Sequence, residues 1–210
     1  KIKGTSHKTT LGGYSNVIVV DEKFVLQIPE NLDPAATAPL LCAGITTYSP
    51  LKQWKICSGQ KVGIIGLGGL GHMGVKFAHA LGAKVVMITT SPEKGQDAKK
   101  LGADDVLLST DSKAMGAAQN SFDFLLNTIP VGHDVDPYMA LLKRDATMVV
   151  LGALEPLKKV TGTPFIFRRL NMAGSLIGGI AETQEMLDFC GKHHITCDDS
   201  EPDTKALERG

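Results

Sequence analysis

The sequence predicts an α/β protein built on a doubly wound parallel sheet. Three features of its 210 residues carry this prediction. Short apolar segments recur at regular intervals, helical patterns lie between them, and a glycine-rich loop follows the first segment of the series. Strands and helices that alternate at this spacing require right-handed crossovers, which place helices on both faces of one sheet.

Six apolar segments are the predicted strands. They are rich in Val, Ile and Leu without strict alternation, which is typical of parallel strands buried on both faces. Their positions are 61–65, 84–88, 105–108, 122–126, 147–151 and 172–177. The predicted helices are 69–81, 92–101, 137–142 and 182–190. Ser91 and Pro92 provide a helix start, and Gly82 and Gly102 are placed to end helices.

The first forty residues predict a β-rich segment. Residues 17–20 and 24–28 are short apolar runs separated by polar residues, so we expect two strands there. Three prolines between residues 29 and 39 then indicate a loop-rich passage. At the other end of the chain, residues 198–203 are polar and are expected to be frayed.

Composition excludes several classes of partner. Lys plus Arg and Asp plus Glu each number 22, so the formal net charge is zero, and aromatic residues make up 5%. Such a chain offers neither the charged surface nor the stacking platform that a nucleic acid or an anionic membrane requires. The first residues show no signal-peptide pattern, so a cytoplasmic location is expected. The four cysteines show no paired spacing and are interpreted as free thiols or single metal ligands.

The strongest local motif is the run Gly66-Leu67-Gly68-Gly69-Leu70-Gly71, which ends a predicted strand and opens a predicted helix. In this context the first glycine permits a tight turn, the second lets the backbone approach a pyrophosphate, and the third lets helix and strand pack closely. The helix N-terminus offers N–H groups to the phosphates. The motif predicts a dinucleotide site of the Rossmann type; a glycine turn that only packs the helix is the alternative.

The end of the second strand favours NADP over NAD. An NAD site usually places an acid there, whereas this chain has Thr89, Thr90, Ser91 and Lys94, which can hold a 2′-phosphate. Glu93 weakens this prediction, although on the first helical turn it can point to solvent. The alternative is that the hydroxyls only cap the helix.

Several segments together resemble the zinc-dependent cinnamyl alcohol dehydrogenases of the medium-chain dehydrogenase/reductase superfamily. The similar segments are 40–51, 66–74, 128–130, 175–178 and 182–187. Residues 12–15, with the strands expected after them, resemble the end of that family's GroES-like catalytic domain. This collinear series is much more specific than the glycine loop alone.

The resemblance implies a division of the chain into three parts. Residues 1–42 would be a β-rich remnant of the GroES-like domain, and 43–180 an NADP-binding Rossmann domain. Residues 181–210 would be a final helix with a truncated or frayed tail. The implied reaction is reversible hydride transfer between NADPH and an aldehyde, giving a primary alcohol, with Zn²⁺ as the Lewis acid.

The resemblance also implies roles for particular residues. Cys42 matches the last ligand of the catalytic zinc, and Thr46 matches a cofactor-contacting hydroxyl. The positions that match pyrophosphate contacts are Gly66, Leu67, Gly68, Gly69, Leu70 and Gly71. Those that match the surroundings of the 2′-phosphate are Thr89, Thr90, Ser91 and Lys94. Those that match the nicotinamide half of the cofactor are Thr128, Gly152, Ser175, Leu176 and Ile177. Leu176 and Ile177 would also help to wall the substrate pocket.

Some parts of the family pattern are not found. The other zinc ligands, the proton relay and the four-cysteine structural lobe are expected upstream of this chain, so Cys42 alone would hold zinc only weakly. A small buried thiol is the alternative for Cys42. Gly95 stands where relatives often carry a basic residue, which softens the NADP preference.

Two alternatives stay open for the function of the chain. One is a non-catalytic NADPH-binding module, and the other is a zinc-free quinone reductase of the same superfamily. In either case we expect a homodimer, because residues 172–178 form a predicted edge strand and such edges pair across a two-fold axis.

Overall fold

The computed structural model describes residues 16–152 and 155–197. The interpretations of residues 12–15 and 198–203 therefore lie outside the described residues. The strands are β1 (Lys61–Ile65), β2 (Lys84–Thr89), β3 (Asp105–Leu108), β4 (Phe122–Asn127), β5 (Leu142–Val150) and β6 (Asn171–Gly174). The α-helices are α1 (Pro34–Thr37), α2 (Ala43–Gln53), α3 (Gly69–Ala80), α4 (Pro92–Lys100), α5 (Ser112–Ala117), α6 (Asp136–Met139), α7 (Thr163–Arg168) and α8 (Ile180–His193).

The six strands form one parallel sheet in the order β3-β2-β1-β4-β5-β6. Two apolar clusters cover its two faces: one includes side chains of α2, α3, α4 and α8, and the other includes side chains of α5 and α6. Successive residues of β2 point to opposite faces of the sheet: Val85 and Met87 belong to the first cluster, and Val86 and Ile88 belong to the second. This explains why the strands lack strict alternation, and it confirms the predicted doubly wound fold.

The predicted helix signals around α4 are confirmed. Ser91 caps the helix by accepting a hydrogen bond from the Lys94 backbone N–H at 3.3 Å, and Pro92 occupies its first position. Gly82 and Gly102, just after α3 and α4, have φ of +84° and +111°. Both helices thus end at a glycine in the conformation that other residues avoid.

The later element boundaries differ from the predictions. Helix α6 ends at Met139 rather than residue 142, because Leu142 already pairs with Phe122 and begins β5. The predicted last strand, 172–177, is also too long. β6 stops at Gly174 because its neighbour β5 ends at Val150, the partner of Gly174. Residues 175–177 therefore follow the strand instead of lying on it.

The two strands predicted near the start are wrong. Residues 17–20 and 24–28 have no strand assignment, and a 3-10 turn, Glu22–Phe24, stands between them, capped by Asp21. The side chains of Val17 and Val19 are 79% and 76% exposed. These side chains are not packed in the way that favours β-forming residues in a sheet, so propensity alone does not make this run a strand.

This segment is instead held by the last helix. The Gln27 backbone exchanges two hydrogen bonds with the amide of Gln184, at 2.8 and 3.0 Å, and Asn31 Nδ2 donates to the Gly191 carbonyl at 2.8 Å. Helix α8 also packs on α2, where the Tyr48 hydroxyl lies 3.0 Å from a Glu185 carboxylate oxygen. The start of the described chain is thus fastened to the same face of the sheet as α2. None of the helices in residues 16–152 and 155–197 has the length and apolar character needed to cross a membrane.

Candidate functional site

The glycine loop links β1 to α3 by a tight turn. Gly66 has φ of +89°, and its N–H donates to the Ile88 carbonyl at 3.0 Å. A Cβ atom at Gly71 would lie 1.9 Å from the Gly66 carbonyl oxygen, so the start of α3 rests directly on the turn. A side chain is therefore excluded at Gly71 by the backbone itself.

The middle of the loop is open. A Cβ atom at Gly68 or Gly69 would meet nothing within 4 Å. Gly68 is the N-cap of α3, and no described side chain provides the capping hydrogen bond. The first N–H groups of this helix consequently face a space that an anion can enter. The backbone geometry fits a dinucleotide pyrophosphate.

Thr128 joins the loop to the neighbouring strand. Its side-chain hydroxyl lies 2.8 Å from the Ile65 carbonyl oxygen and 3.0 Å from that of Gly66, and its backbone N–H donates to Ile65 at 3.0 Å. Strands β1 and β4 are adjacent in the sheet, with β2 and β3 beyond β1 and β5 and β6 beyond β4. The strand order therefore reverses between β1 and β4, and ligands of such sheets bind at this switch point.

A recess of about 270 Å³ opens on one side of the loop. Its lining comes from the loop (Gly66, Leu67), from the end of β2 and the start of α4 (Ile88, Thr89, Thr90, Ser91, Lys94), and from three more distant residues (Ser109, Ile129, Tyr138). No carboxylate belongs to these described lining residues. The Thr89 hydroxyl accepts the Ser91 N–H at 3.2 Å, so the β2–α4 turn is fixed by its own side chains.

The hydroxyls at this turn do cap the helix, as one interpretation expected. Capping uses only the acceptor capacity of Ser91, however, and leaves its O–H hydrogen to donate. Thr90 and Lys94 are exposed, and so is Glu93. The arrangement fits a 2′-phosphate, for which donors and a cation are needed and a lining carboxylate would be unfavourable.

A second recess of about 310 Å³ lies on the other side of the loop. Its lining residues are Gly68, Gly69, Leu70, Thr128, Pro130, Leu151 and Gly152. A Cβ atom at Gly152 would stand 2.4 Å from the Thr128 carbonyl oxygen, so the ends of β4 and β5 approach each other closely here. The two recesses flank the glycine loop along the carboxyl edge of the sheet.

Five predicted cofactor residues do not line either recess, and one of them is Gly71, whose position packs against the Gly66 carbonyl. Thr46 is buried in α2, and Ser175, Leu176 and Ile177 lie in the turn after β6. That turn approaches α2, because a Cβ atom at Gly178 would be 2.7 Å from Ile45. The segment after β6 thus comes close to α2 at Gly178, and the cofactor contacts of Thr46 and of residues 175–177 stay predictions.

Sequence reasoning missed four residues of the first recess: Ile88, which directly precedes the predicted Thr89, and Ser109, Ile129 and Tyr138. Ser109 directly follows β3, so the rule that ligands meet the carboxyl ends of strands could have found it. Ile129 directly follows the predicted Thr128. Tyr138 carries no such signal, because only the path of the chain through α6 brings it to the recess.

The described residues do not fit a complete zinc site. Cys42 is exposed at the N-terminus of α2, so the alternative of a small buried thiol is wrong. Across residues 16–152 and 155–197, no three His, Cys, Asp or Glu side chains come together as metal ligands. A catalytic zinc takes about three protein ligands. The zinc role that the resemblance implies for Cys42 stays a prediction.

Comparison with known proteins gives a consistent family signal. The sequence pattern of the family described as "Zinc-binding dehydrogenase" matches residues 69–192. The chain is 55% identical over 191 residues to aldehyde reductase YahK of Escherichia coli, covering 90% of this chain and 55% of that protein. It is 50% identical over 186 residues to NADP-dependent alcohol dehydrogenase C 1 of Mycolicibacterium smegmatis, covering 89% and 53%. The chain thus spans about half the length of the curated relatives it matches.

Solved structures agree with this signal. A cinnamyl alcohol dehydrogenase of Sorghum bicolor, SbCAD4, aligns with a TM-score of 0.84 and 42% identity, over 90% of this chain and 56% of that one. The CAD of Helicobacter pylori, solved in complex with NADP(H), aligns with a TM-score of 0.79 and 42% identity, over 89% and 53%.

Proposed function

The chain belongs to the zinc-binding dehydrogenase family, and from that premise we propose that it is the NADP(H)-binding part of an alcohol dehydrogenase. The main observation in support of this proposal is the pair of recesses on either side of the glycine loop. The described lining of one of them includes hydroxyl groups and a lysine but no carboxylate. The substrate would be an aldehyde, reduced to a primary alcohol, with cinnamyl-type aldehydes as the first class to test.

The pyrophosphate would lie over Gly68 and Gly69. Apart from the adjoining residues of the chain, no atom of the described residues lies within 4 Å of a Cβ atom placed at either glycine, and the N-terminus of α3 begins at this point. The adenosine end would enter the recess of Thr90, Ser91 and Lys94, where the ammonium group and hydroxyls recognise the 2′-phosphate. The nicotinamide end would then enter the recess beside Thr128 and Gly152.

When bound, the nicotinamide supplies or accepts the hydride at the carbonyl carbon of the substrate. The residues of this chain bind and orient the cofactor. Thr128 holds the end of β4 against the glycine loop, so the two recesses keep a fixed separation. Leu176 and Ile177 follow β6 and would bound the substrate side.

Fluorescence titration with NADPH and with NADH tests the binding proposal. We expect saturable NADPH binding and weaker NADH binding, because NADH lacks the 2′-phosphate. Equal affinities would contradict the assignment of the first recess, and no binding of either would contradict the proposal as a whole.

A non-catalytic NADPH-binding module is the second candidate, favoured by the lack of three metal ligands in the described ranges. An aldehyde-dependent NADPH oxidation assay, with and without added zinc, separates the two candidates. Turnover by this chain would reject the binding module, and NADPH binding without turnover would support it.

We also propose that the chain divides into three parts, residues 1–42, 43–180 and 181–210.

We further propose that the protein is a homodimer. β6 is an edge strand, and Ile166 and Phe167 of α7 are 76% and 75% exposed. An apolar patch beside an unpaired edge favours association with a second copy. Light scattering after size-exclusion chromatography should give twice the monomer mass, and a monomer at high concentration would reject the dimer.

A further inference from the structure

We propose that His133 is a positioning residue that fixes the wall shared by the two recesses, a role that rests on the proposed NADP(H) binding. The wall is the segment of residues 128–132, which we call the β4 loop. It gives Ile129 to the first recess and Thr128 and Pro130 to the second. A shift of this loop would therefore disturb both halves of the crevice at once.

The loop is anchored by Asn127, the last residue of β4, whose side chain is fully buried. Asn127 Oδ1 accepts a hydrogen bond from the Ile129 backbone N–H at 3.2 Å. Because that N–H can only donate, the orientation of the amide is settled, and the Nδ2 group must point the other way. There it lies 2.9 Å from His133 Nε2.

The donor on Asn127 selects one tautomer of the imidazole. Nε2 must accept and therefore carries no proton, so the proton of the neutral ring is on Nδ1. Nδ1 lies 2.8 Å from the Val131 carbonyl oxygen, which can only accept. Both contacts are satisfied by one neutral tautomer, and the ring ties the buried strand end to the far side of the loop.

The same ring contacts a residue that lines the first recess. The His133 and Tyr138 rings meet edge to face, with centroids 6.0 Å apart and planes at 79°, and Tyr138 lines that recess. Gly132, which precedes His133, is held by a separate contact, because its N–H donates to a Glu155 carboxylate oxygen at 2.8 Å. His133 thus connects Asn127, Val131 and Tyr138, three points around the wall.

Two substitutions separate positioning from simple packing. H133F keeps the ring shape but leaves the buried Asn127 donor and the Val131 carbonyl without the imidazole. H133Q can present its side-chain oxygen near the Nε2 position and so keep an acceptor for Asn127. H193Q, on the exposed last turn of α8, is the matched control.

The experiment is an NADPH fluorescence titration of the full chain and the three variants, at a temperature where circular dichroism shows each to be folded. We expect H133F to weaken NADPH binding about tenfold, H133Q to restore it to within about threefold, and H193Q to leave it unchanged. Wild-type affinity in H133F, or equal losses in H133F and H133Q, would overturn the inference.

A spectroscopic readout tests the tautomer without relying on any variant. Long-range ¹H–¹⁵N correlation of the wild-type imidazoles should show His133 with a protonated Nδ1 and an unprotonated Nε2, and the opposite tautomer would overturn the inference. A wild-type chain that binds no NADPH would overturn the proposed function as well, whereas normal wild-type binding with an unaffected H133F rejects only the role of His133.

Discussion

Gly68→Ala should abolish most NADPH affinity while leaving the protein at least as stable as before. In the structure the added methyl group meets nothing within 4 Å, and Gly68 has φ of −118° and ψ of −161°, an extended conformation that alanine adopts readily. The methyl group would, however, occupy the space assigned to the pyrophosphate. The substitution therefore changes the ligand site without changing the packing of the protein.

The expected magnitudes follow from this geometry. Replacing glycine by alanine in a compatible conformation changes stability by about 0.4–1 kcal/mol in the favourable direction, because it restricts the unfolded chain. Loss of one hydrogen bond to a charged group costs about 1.5–3 kcal/mol. At about 1.4 kcal/mol per factor of ten, NADPH affinity should fall at least about tenfold.

Gly71→Ala is the contrasting variant. Its methyl group would lie 1.9 Å from the Gly66 carbonyl oxygen, so the turn and α3 must move apart. Overpacking of this kind costs about 1–3 kcal/mol or more, which lowers the melting temperature by several degrees in a chain of this size. Gly116→Ala in α5, where an added methyl group meets nothing within 4 Å, is the control for stability and binding.

Thermal denaturation and NADPH titration on the same samples give both quantities. The reasoning requires Gly68→Ala to lose affinity and keep stability, and Gly71→Ala to lose stability. If Gly68→Ala bound NADPH as the wild type does, the pyrophosphate would not lie over this glycine and the assignment of the crevice would be refuted.

Three further predictions concern other parts of the molecule. Lys94→Met should weaken NADPH binding about two- to fivefold, since an exposed charge pair is worth little, and leave NADH unchanged; titrations with both cofactors at two salt concentrations check this. Burial raises the pKa of the Cys190 thiol to about 12, so mass spectrometry should find it unlabelled by a thiol reagent at pH 8 while exposed Cys42 is modified. Hydrogen bonds from Thr161 lower the pKa of Asp136, so this carboxylate stabilises the fold above the ordinary Asp range and the effect is lost as the pH falls through the lowered pKa. Melting curves should show Asp136→Asn less stable than wild type at pH 7 and equal to it near pH 2.

The sheet could be predicted because its signals are local. Each strand of the series is a short apolar run, and each lies between helices whose starts and ends the sequence marks, as at Ser91 and Gly102. The glycine loop follows the same logic, since its turn and helix start are set by neighbouring residues. The order of the strands then places the loop at the switch point without further information.

The parts of the site that could not be predicted depend on contacts distant in sequence. Tyr138 reaches the first recess only because the chain after β4 folds back through α6. His133 looks like an ordinary loop residue until the buried amide of Asn127 is found 2.9 Å from its ring. Hydrophobic periodicity and capping rules describe single helices and strands, so they carry no information about contacts between residues that are distant in sequence.

The wrong strands at residues 17–28 show what a strand signal measures. Val17, Val19 and Phe24 have the side chains that strands prefer, yet all three are exposed and none is assigned to a strand. Val62 and Ile64 of β1 have the same character and are fully buried, because they pack in the cluster that includes side chains of α2, α3 and α8. A run of β-forming residues therefore indicates side chains that are suited to a sheet, and whether the run becomes a strand depends on the packing of those side chains. The length of a strand also depends on its neighbour, since β6 ends at Gly174, the partner of the last residue of β5.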